Sequence, residues 1–296
     1  MKFYDLNKSV WQWITLFFLA IIWGSSFILM KKGLLVYSHD VVAALRLSLA
    51  SIVLMPFALK AFKKVQLKDW KYLIVAGIIG NGIPAFLFTL AQTEVSSSLT
   101  GMLNSLVPIF SLIIGVFLFK SKPIKTQVIG IFTGLIGACG LIFSKGLPTE
   151  NSNFTFTLLI VLATICYAIS VNVIKSFLKN IKAIHITALS FLCIGPFTLL
   201  YLLSTNFASV TLNHPDSFMA LIYIAILSIL GTALAIIVFN MLIKTTTTVF
   251  ATSVTYLIPI VAIFWGVFDN ETMSLIQIFS ATITLLGIYF INKQQH

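Results

Sequence analysis

The chain has 296 residues, 59% of them hydrophobic and 9% charged, with a mean hydropathy of +1.04. Eight acids and nineteen Lys and Arg cannot cover a folded, water-facing surface with charge, which excludes an ordinary soluble domain. The net charge of +11 does not indicate nucleic acid, because the cations are scattered Lys and a single Arg, with no recognition motif.

A helix needs about 20 apolar residues to cross roughly 30 Å of hydrocarbon. Met1 to Trp13 is polar and short, and no small-residue cleavage site follows the first apolar run, 13–31. That run therefore reads as a retained helix, not a signal peptide. Runs at 40–60, 70–91, 97–119 and 125–144 follow, and after a polar break five more lie at 154–175, 184–203, 217–243, 247–268 and 274–291. The expected fold is an all-α integral membrane protein with ten transmembrane helices.

Loop charge sets a direction. With the N-terminus inside, Lys2, Lys8, the cluster from Lys60 to Lys71, Lys120, Lys122, Lys125, Lys175, Lys179, Lys182, Lys244 and Lys293 are cytoplasmic. Lys31, Lys32 and Lys145 alone fall outside. This alternation predicts a multi-pass protein of the plasma (inner) membrane with both termini cytoplasmic. Cys139, Cys166 and Cys193 sit in separate apolar runs without metal-ligand spacing and read as small buried packers. No cofactor and no metal are expected.

The chain is also duplicated. Leu106-Val107-Pro108-Ile109 with Gly115-Val116-Phe117 recurs 151 positions later as Leu257-Ile258-Pro259-Ile260 with Gly266-Val267-Phe268. At an offset of 144, Ser26, Lys31 and Ala44-Leu45 match Ser170, Lys175 and Ala188-Leu189. At 151, Gly80 and Phe88 match Gly231 and Phe239, and at 150, Gln127, Leu135 and Gly137 match Gln277, Leu285 and Gly287. Five spans per half is an odd number, so the second half must enter the membrane from the opposite side. Inverted repeats of this kind underlie alternating access in carriers.

Trp23-Gly24-Ser25-Ser26-Phe27, Leu45-Arg46, the Pro-then-Gly pattern of the fourth and ninth spans, and Glu271 with Gln277 and Gly287 together resemble the EamA-type transporters of the drug/metabolite transporter superfamily. The resemblance covers roughly residues 13–291 and implies two repeats, 13–145 and 152–292, with a substrate cavity between them. It also implies that the last helix of each repeat packs away from that cavity. Two departures stand out: Lys120-Ser121 where the family usually has Gly-Glu, and Tyr167-Ala168 in the second half where the first has Trp23-Gly24.

Candidate pathway residues follow from chemistry. Pro108 and Pro259 each remove a helical hydrogen bond and free the carbonyl four residues earlier, at Asn104 and Thr255. Such carbonyls are tolerated only against protein or a water-filled cavity. Kinks at these prolines would therefore line the pathway as gates, or else be static packing features. Asn81, Asn104, Asn172, Thr252, Thr255 and Tyr256, with Ser26, offer neutral hydrogen-bonding groups that suit either a pathway or the packing between helices. Trp23 and Tyr167 supply aromatic wall. Arg46 lies about 9 Å inside its span. A charge at mid-bilayer costs about 2.5–3.5 kcal/mol on insertion scales, so Arg46 either binds substrate or snorkels to the interface. Gly130 and Gly134, with Ser280 and Thr284, allow close helix approach.

No Asp or Glu lies deep in any span, which argues against proton coupling through a membrane carboxylate. The expected function is a secondary transporter, in the exporting direction, of small organic metabolites such as amino acids or amphipathic, drug-like compounds. Its partners would be lipid and a small-molecule substrate, with no nucleic acid, and it would act as a monomer. An organophosphate or nucleotide-sugar exchanger would call for several buried cations, and only Arg46 is available. An intramembrane enzyme would need a nucleophile and base or metal ligands, and the sequence shows no such set. A scaffold or receptor would not require inverted repeats.

Overall fold

The computed structural model describes residues 6–143 and 154–292, and every regular element among them is helical. Lys2, Lys145 and Lys293, whose charges set the direction above, lie outside the described residues, as do the repeat edges at 145 and 152. The first two spans are α1 (Ser9–Leu34) and α2 (His39–Phe62). The third begins as α3 (Trp70–Gly77), widens into a π-turn at Ile78–Gly82 and continues as α4 (Ile83–Ala91). Next come α5 (Ser97–Asn104), α6 (Val107–Phe119) and α7 (Lys125–Ile142).

The second half runs through α8 (Phe154–Phe177), α9 (Ala183–Ser204), the short α10 (Phe207–Asn213) and α11 (Ser217–Ser228). A second π-turn, Ile229–Leu234, leads into α12 (Ala235–Thr245). The chain then forms α13 (Thr248–Thr252), a 3₁₀ turn at Ser253–Tyr256, α14 (Ile258–Phe268) and α15 (Leu275–Asn292). Counting each interrupted span once, eight helical stretches among the described residues are long and apolar enough to cross a membrane. The fifth and tenth predicted spans are α7 and α15, of 18 residues each, about 27 Å long.

Phe17, Phe117, Phe132, Phe197, Leu203, Phe268 and Phe279 stand exposed on the outside of the bundle. A soluble protein rarely exposes so much apolar surface, whereas lipid solvates it without penalty. The chain is an all-α, multi-pass membrane protein. Of the three cysteines, only Cys166 is buried; Cys193 is half-buried and Cys139 is exposed on α7, so the expectation of three buried packers does not hold.

Two features of the sequence acquire a different geometry. The proline motifs do not kink continuous helices. α5 stops at Asn104, and the Ser105 and Leu106 N–H groups donate to carbonyls three residues back, Met102 and Leu103, at 3.1 Å each. Pro108 then sits in the first turn of α6, where its missing N–H costs nothing. Pro259 occupies the same place in α14, after the Ser253–Tyr256 turn. Each motif thus starts a new helix after a tightened turn.

The other feature is the pair of π-turns, which begin 151 residues apart and contain Gly80 and Gly231. A Cβ on Gly80 would lie 2.1 Å from Ser170 Oγ, and one on Gly231 would lie 2.7 Å from Ser26 Oγ. The two close approaches are therefore equivalent under the sequence repeat, which matches Ser26 with Ser170 and Gly80 with Gly231.

Helix pairs hold the two halves together. α2 and α9 run antiparallel, joined by Ser48 Oγ to Thr198 Oγ1 at 3.0 Å and Ser51 Oγ to the Phe191 carbonyl at 3.2 Å. α7 and α15 meet at the small residues: a Cβ on Gly287 would lie 2.3 Å from Gly134 N and 2.7 Å from the Gly130 carbonyl. A Cβ on Gly140 would lie 2.3 Å from Ser280 Oγ, so advancing six residues along α7 retreats seven along α15, and this pair is antiparallel too.

Candidate functional site

A cavity of about 120 Å³ lies where segments of both halves cross. α1 contributes Trp23, Ser26, Phe27 and Met30, and α2 contributes Arg46 and Leu47. The third span adds Gly80, Asn81 and Phe88, and Asn104 and Val107 flank the break between α5 and α6. From the second half come Tyr167, Ser170 and Ile174 of α8, and Thr187 and Ser190 of α9. Thr232, Phe239, Asn240, Ile243 and Thr255 also line it. α7 and α15 contribute no residue to the wall.

The π-turns explain how polar groups are held here. A π-turn shifts the backbone bonding by one residue and leaves carbonyls in need of donors. Asn81 Nδ2 donates to the Ala76 carbonyl at 2.7 Å, and Thr232 Oγ1 donates to the Leu227 carbonyl at 3.0 Å, each bridging five residues back. Asn81 and Thr232 are themselves 151 residues apart. Trp23 Nε1 donates to the Gly231 carbonyl at 2.9 Å, and its ring meets Phe239 edge-on at 4.9 Å between centroids.

Arg46 is buried on this wall and does not snorkel. Its Nε donates to Thr232 Oγ1 at 2.7 Å, and its backbone carbonyl accepts from Ser228 Oγ at 2.7 Å. No described residue accepts from its terminal amino groups, and no described carboxylate pairs with it. Asp40, six residues away, bonds instead to the Tyr201 hydroxyl at 2.6 Å. Opposite, Asn240 Nδ2 donates to Thr187 Oγ1 at 2.9 Å. The Ser190 hydroxyl is buried without a hydrogen-bond partner among the described residues.

Of the residues expected on the pathway, Trp23, Ser26, Arg46, Asn81, Asn104, Tyr167 and Thr255 lie on the cavity wall. The others do not. Asn172 is buried between helices, donating to the Ser111 and Ala168 carbonyls at 2.9 Å each, because an amide flush against two backbones has no room to face a cavity. Thr252 is buried and donates to the Thr248 carbonyl of its own turn. Tyr256 faces a separate cleft with Trp13, Phe250 and Tyr289. Pro108 and Pro259 are buried at helix starts, outside the wall. Thr187, Ser190 and Thr232 were not anticipated, although offsets of 144 and 151 would have found Ser190 from Arg46 and Thr232 from Asn81.

One end of the bundle is closed by charge. Lys31 Nζ lies 2.7 Å from Asp269 and 2.9 Å from Glu271, and Lys32 lies 2.6 Å from Asp269. Glu271 also accepts from the Ser97 and Ser98 N–H groups at 3.0 Å each and from Ser98 Oγ at 2.6 Å, capping the start of α5. Burial would raise the Glu271 carboxyl, but the Ser98 hydroxyl, Lys31 and the backbone donors outweigh it and hold it below the ordinary carboxylate range. Burial would likewise raise Asp269, yet Lys31 and Lys32 leave it lowered. The turn after α14 aims both acids this way, since Asn270 takes a left-handed φ of 59° and the Glu271 N–H closes on the Gly266 carbonyl at 2.8 Å.

The opposite end has no such latch among the described residues. Lys175, which matches Lys31, donates to the carbonyls of Ile243, at 2.9 Å, and Thr246. Ser121 stands where a second Glu271 would be, after Lys120 at a left-handed φ of 55°.

Comparison with known proteins agrees with this architecture. Residues 11–143 and 155–293 each match the model of the EamA-like transporter family. The chain is 26% identical over 288 residues to YedA of Escherichia coli K12, described as an uncharacterized inner membrane transporter, covering 93% of this chain and 90% of that protein. It is 26% identical over 282 residues to an uncharacterized transporter of Archaeoglobus fulgidus, covering 93% and 95%. A second Archaeoglobus fulgidus transporter matches at 24% identity over 62% of its length. A solved crystal structure covering 94% of both chains superposes with a TM-score of 0.64 at 12% identity, a likeness of fold alone.

Proposed function

This chain belongs to the EamA-like transporter family, and we propose that it is a monomeric secondary transporter that exports small organic metabolites across the plasma (inner) membrane. Its ten helices form two inverted five-helix repeats, 13–145 and 152–292, with both termini cytoplasmic. The observation that carries this reading is the reciprocal packing at the cavity. Ser26 fits against Gly231 while its repeat partner Ser170 fits against Gly80, and both glycines lie in π-turns. Two such matched, half-to-half contacts give each half a surface that can exchange conformations with the other, which alternating access requires.

The latch supplies the closed side. Lys31, Lys32, Asp269 and Glu271 tie α1, the start of α5 and the α14–α15 turn together at the outer end. The cavity wall extends to Ile174, Asn240 and Ile243 toward the end without that latch. A latched outer end and an unlatched inner end suit uptake of a small organic solute from the cytoplasm. Asn81, Asn104, Tyr167 and Thr255 serve as wall and hydrogen-bonding groups, and the turns ahead of Pro108 and Pro259 act as the flexing points of their helices.

Counter-flow in proteoliposomes across amino acids, purines, organic acids and cationic dyes tests the proposal. Accelerated exchange of at least one class is expected, and no exchange of any solute by correctly folded protein would overturn it. Labelling of single cysteines placed at Lys64 and Glu94 tests orientation, with Glu94→Cys expected to react from outside and Lys64→Cys only after permeabilisation.

A further inference from the structure

The charge balance of the cavity narrows its substrate. Among the described residues, its wall carries one ionic side chain, Arg46, and no acid. The ion pairs among the described residues all belong to the latch, so nothing described neutralises that guanidinium. Thr232 holds the Nε edge, which fixes the plane of the group and leaves its two terminal nitrogens without a protein acceptor. A guanidinium in this state is a fork for a planar anion. A second observation points the same way. Ser190, which the 144-residue offset matches to Arg46, presents a buried hydroxyl with no partner on the facing helix. A buried polar group left unpaired is costly, and a bound acceptor would satisfy it.

We infer that this cavity, taken as the transport site proposed above, selects an organic monoanion with an apolar or aromatic body and moves it by exchange. One cation and one anion cancel. A zwitterion would leave its ammonium group facing a wall without a carboxylate, and a dianion would leave a charge unmet in a site of low dielectric. Chloride is far smaller than a cavity of this volume, whereas Trp23, Phe27, Phe88, Tyr167 and Phe239 form a surface suited to a ring or chain. The exchange mode follows from the same balance. An empty carrier must pass through an occluded state with Arg46 cut off from water and unpaired, while the loaded carrier occludes a neutral pair. Reorientation is therefore faster with substrate than without it.

The probes are four close relatives: 3-phenylpropionate, phenylalanine, phenethylamine and 3-phenylpropanamide. In proteoliposomes, 3-phenylpropionate is expected to exchange at least tenfold faster than the other three. Efflux of preloaded 3-phenylpropionate should rise at least tenfold when the same anion is present outside, with little dependence on membrane potential. Arg46→Gln should abolish the preference for the anion over the amide, and Ser190→Ala, which creates only a small void, should weaken 3-phenylpropionate binding several-fold, read by quenching of Trp23 in purified protein. Preference for phenylalanine, the amine or the amide would overturn the inference while leaving a carrier in place. Potential-driven net flux as fast as exchange would overturn the exchange mode. Lack of transport of all four, with exchange of some other class, would overturn the monoanion assignment alone, and no exchange of any solute would overturn the carrier reading with it.

Discussion

Replacing Glu271 with Gln keeps the shape of the latch and removes its charge. In the closed arrangement the carboxylate receives two backbone N–H bonds, one hydroxyl bond and the Lys31 ammonium. Hydrogen bonds to a charged group contribute about 1.5–3 kcal/mol each, but the Gln carbonyl keeps part of that set. The Lys31 side chain is 33% exposed, so its pairing is discounted for screening by water. A net loss of about 2 kcal/mol from the closed state is expected, roughly thirtyfold in the equilibrium. A mouth closed about 100:1 would then be closed about 3:1, raising the outward-open fraction from about 1% to about a quarter. Pulsed electron paramagnetic resonance between nitroxides at the exposed Thr93 and Leu212 reads that population. Lys31→Met should give a smaller shift in the same direction, and the double variant should fall short of the sum because the two groups share one contact. A distance distribution in Glu271→Gln identical to that of the native chain would refute the reasoning.

The same latch predicts a pH response. Asp269 and Glu271 are held below their ordinary values in the folded protein, so their contribution is present above the ordinary carboxylate range and is lost only as pH falls through the lowered values. The outer mouth should stay closed from about pH 5 to 8 and open only under more acidic conditions, in the same resonance measurement. Gly287→Ala would drive a Cβ into the Gly134 backbone at 2.3 Å and the Gly130 carbonyl at 2.7 Å, where no side chain can yield. It should cost about 1–3 kcal/mol and lower the detergent melting temperature, whereas Gly82→Ala, with no neighbour closer than 3.5 Å, should change it far less. Lys120→Gly should be neutral to stabilising by up to about 1 kcal/mol in the same assay, because glycine relieves the left-handed φ of 55°. Gly80→Ala should impair folding through Ser170, and the double variant with Ser170→Gly should recover melting temperature.

Much of the architecture was legible as pattern. Apolar runs, the 151-residue echo of the proline motifs and the alternation of Lys depend on composition and spacing, which a membrane imposes locally on each segment. Seven of the ten side chains expected on the pathway stand on one cavity, because polar groups within apolar spans must meet other helices or water. Asn172, Thr252 and Tyr256 obey the same rule and reach other places, since the rule does not say which neighbour a polar group meets.

The sequence by itself determined a multi-pass helical protein with two related halves and one Arg within its spans. Tertiary structure decided the rest. The π-turns set Gly80 and Gly231 against serines of the opposite half, a neighbour that no local pattern specifies. The proline motifs could have been kinks, and only the hydrogen bonds around Ser105 and Leu257 show new helices beginning there. Lys31 and Glu271 lie 240 residues apart, a pairing that no local pattern encodes. Arg46 could have snorkelled or paired. Its terminal nitrogens are left free because the chain folds Thr232 onto its Nε and brings no described acid to it, and that depends on what packing places nearby.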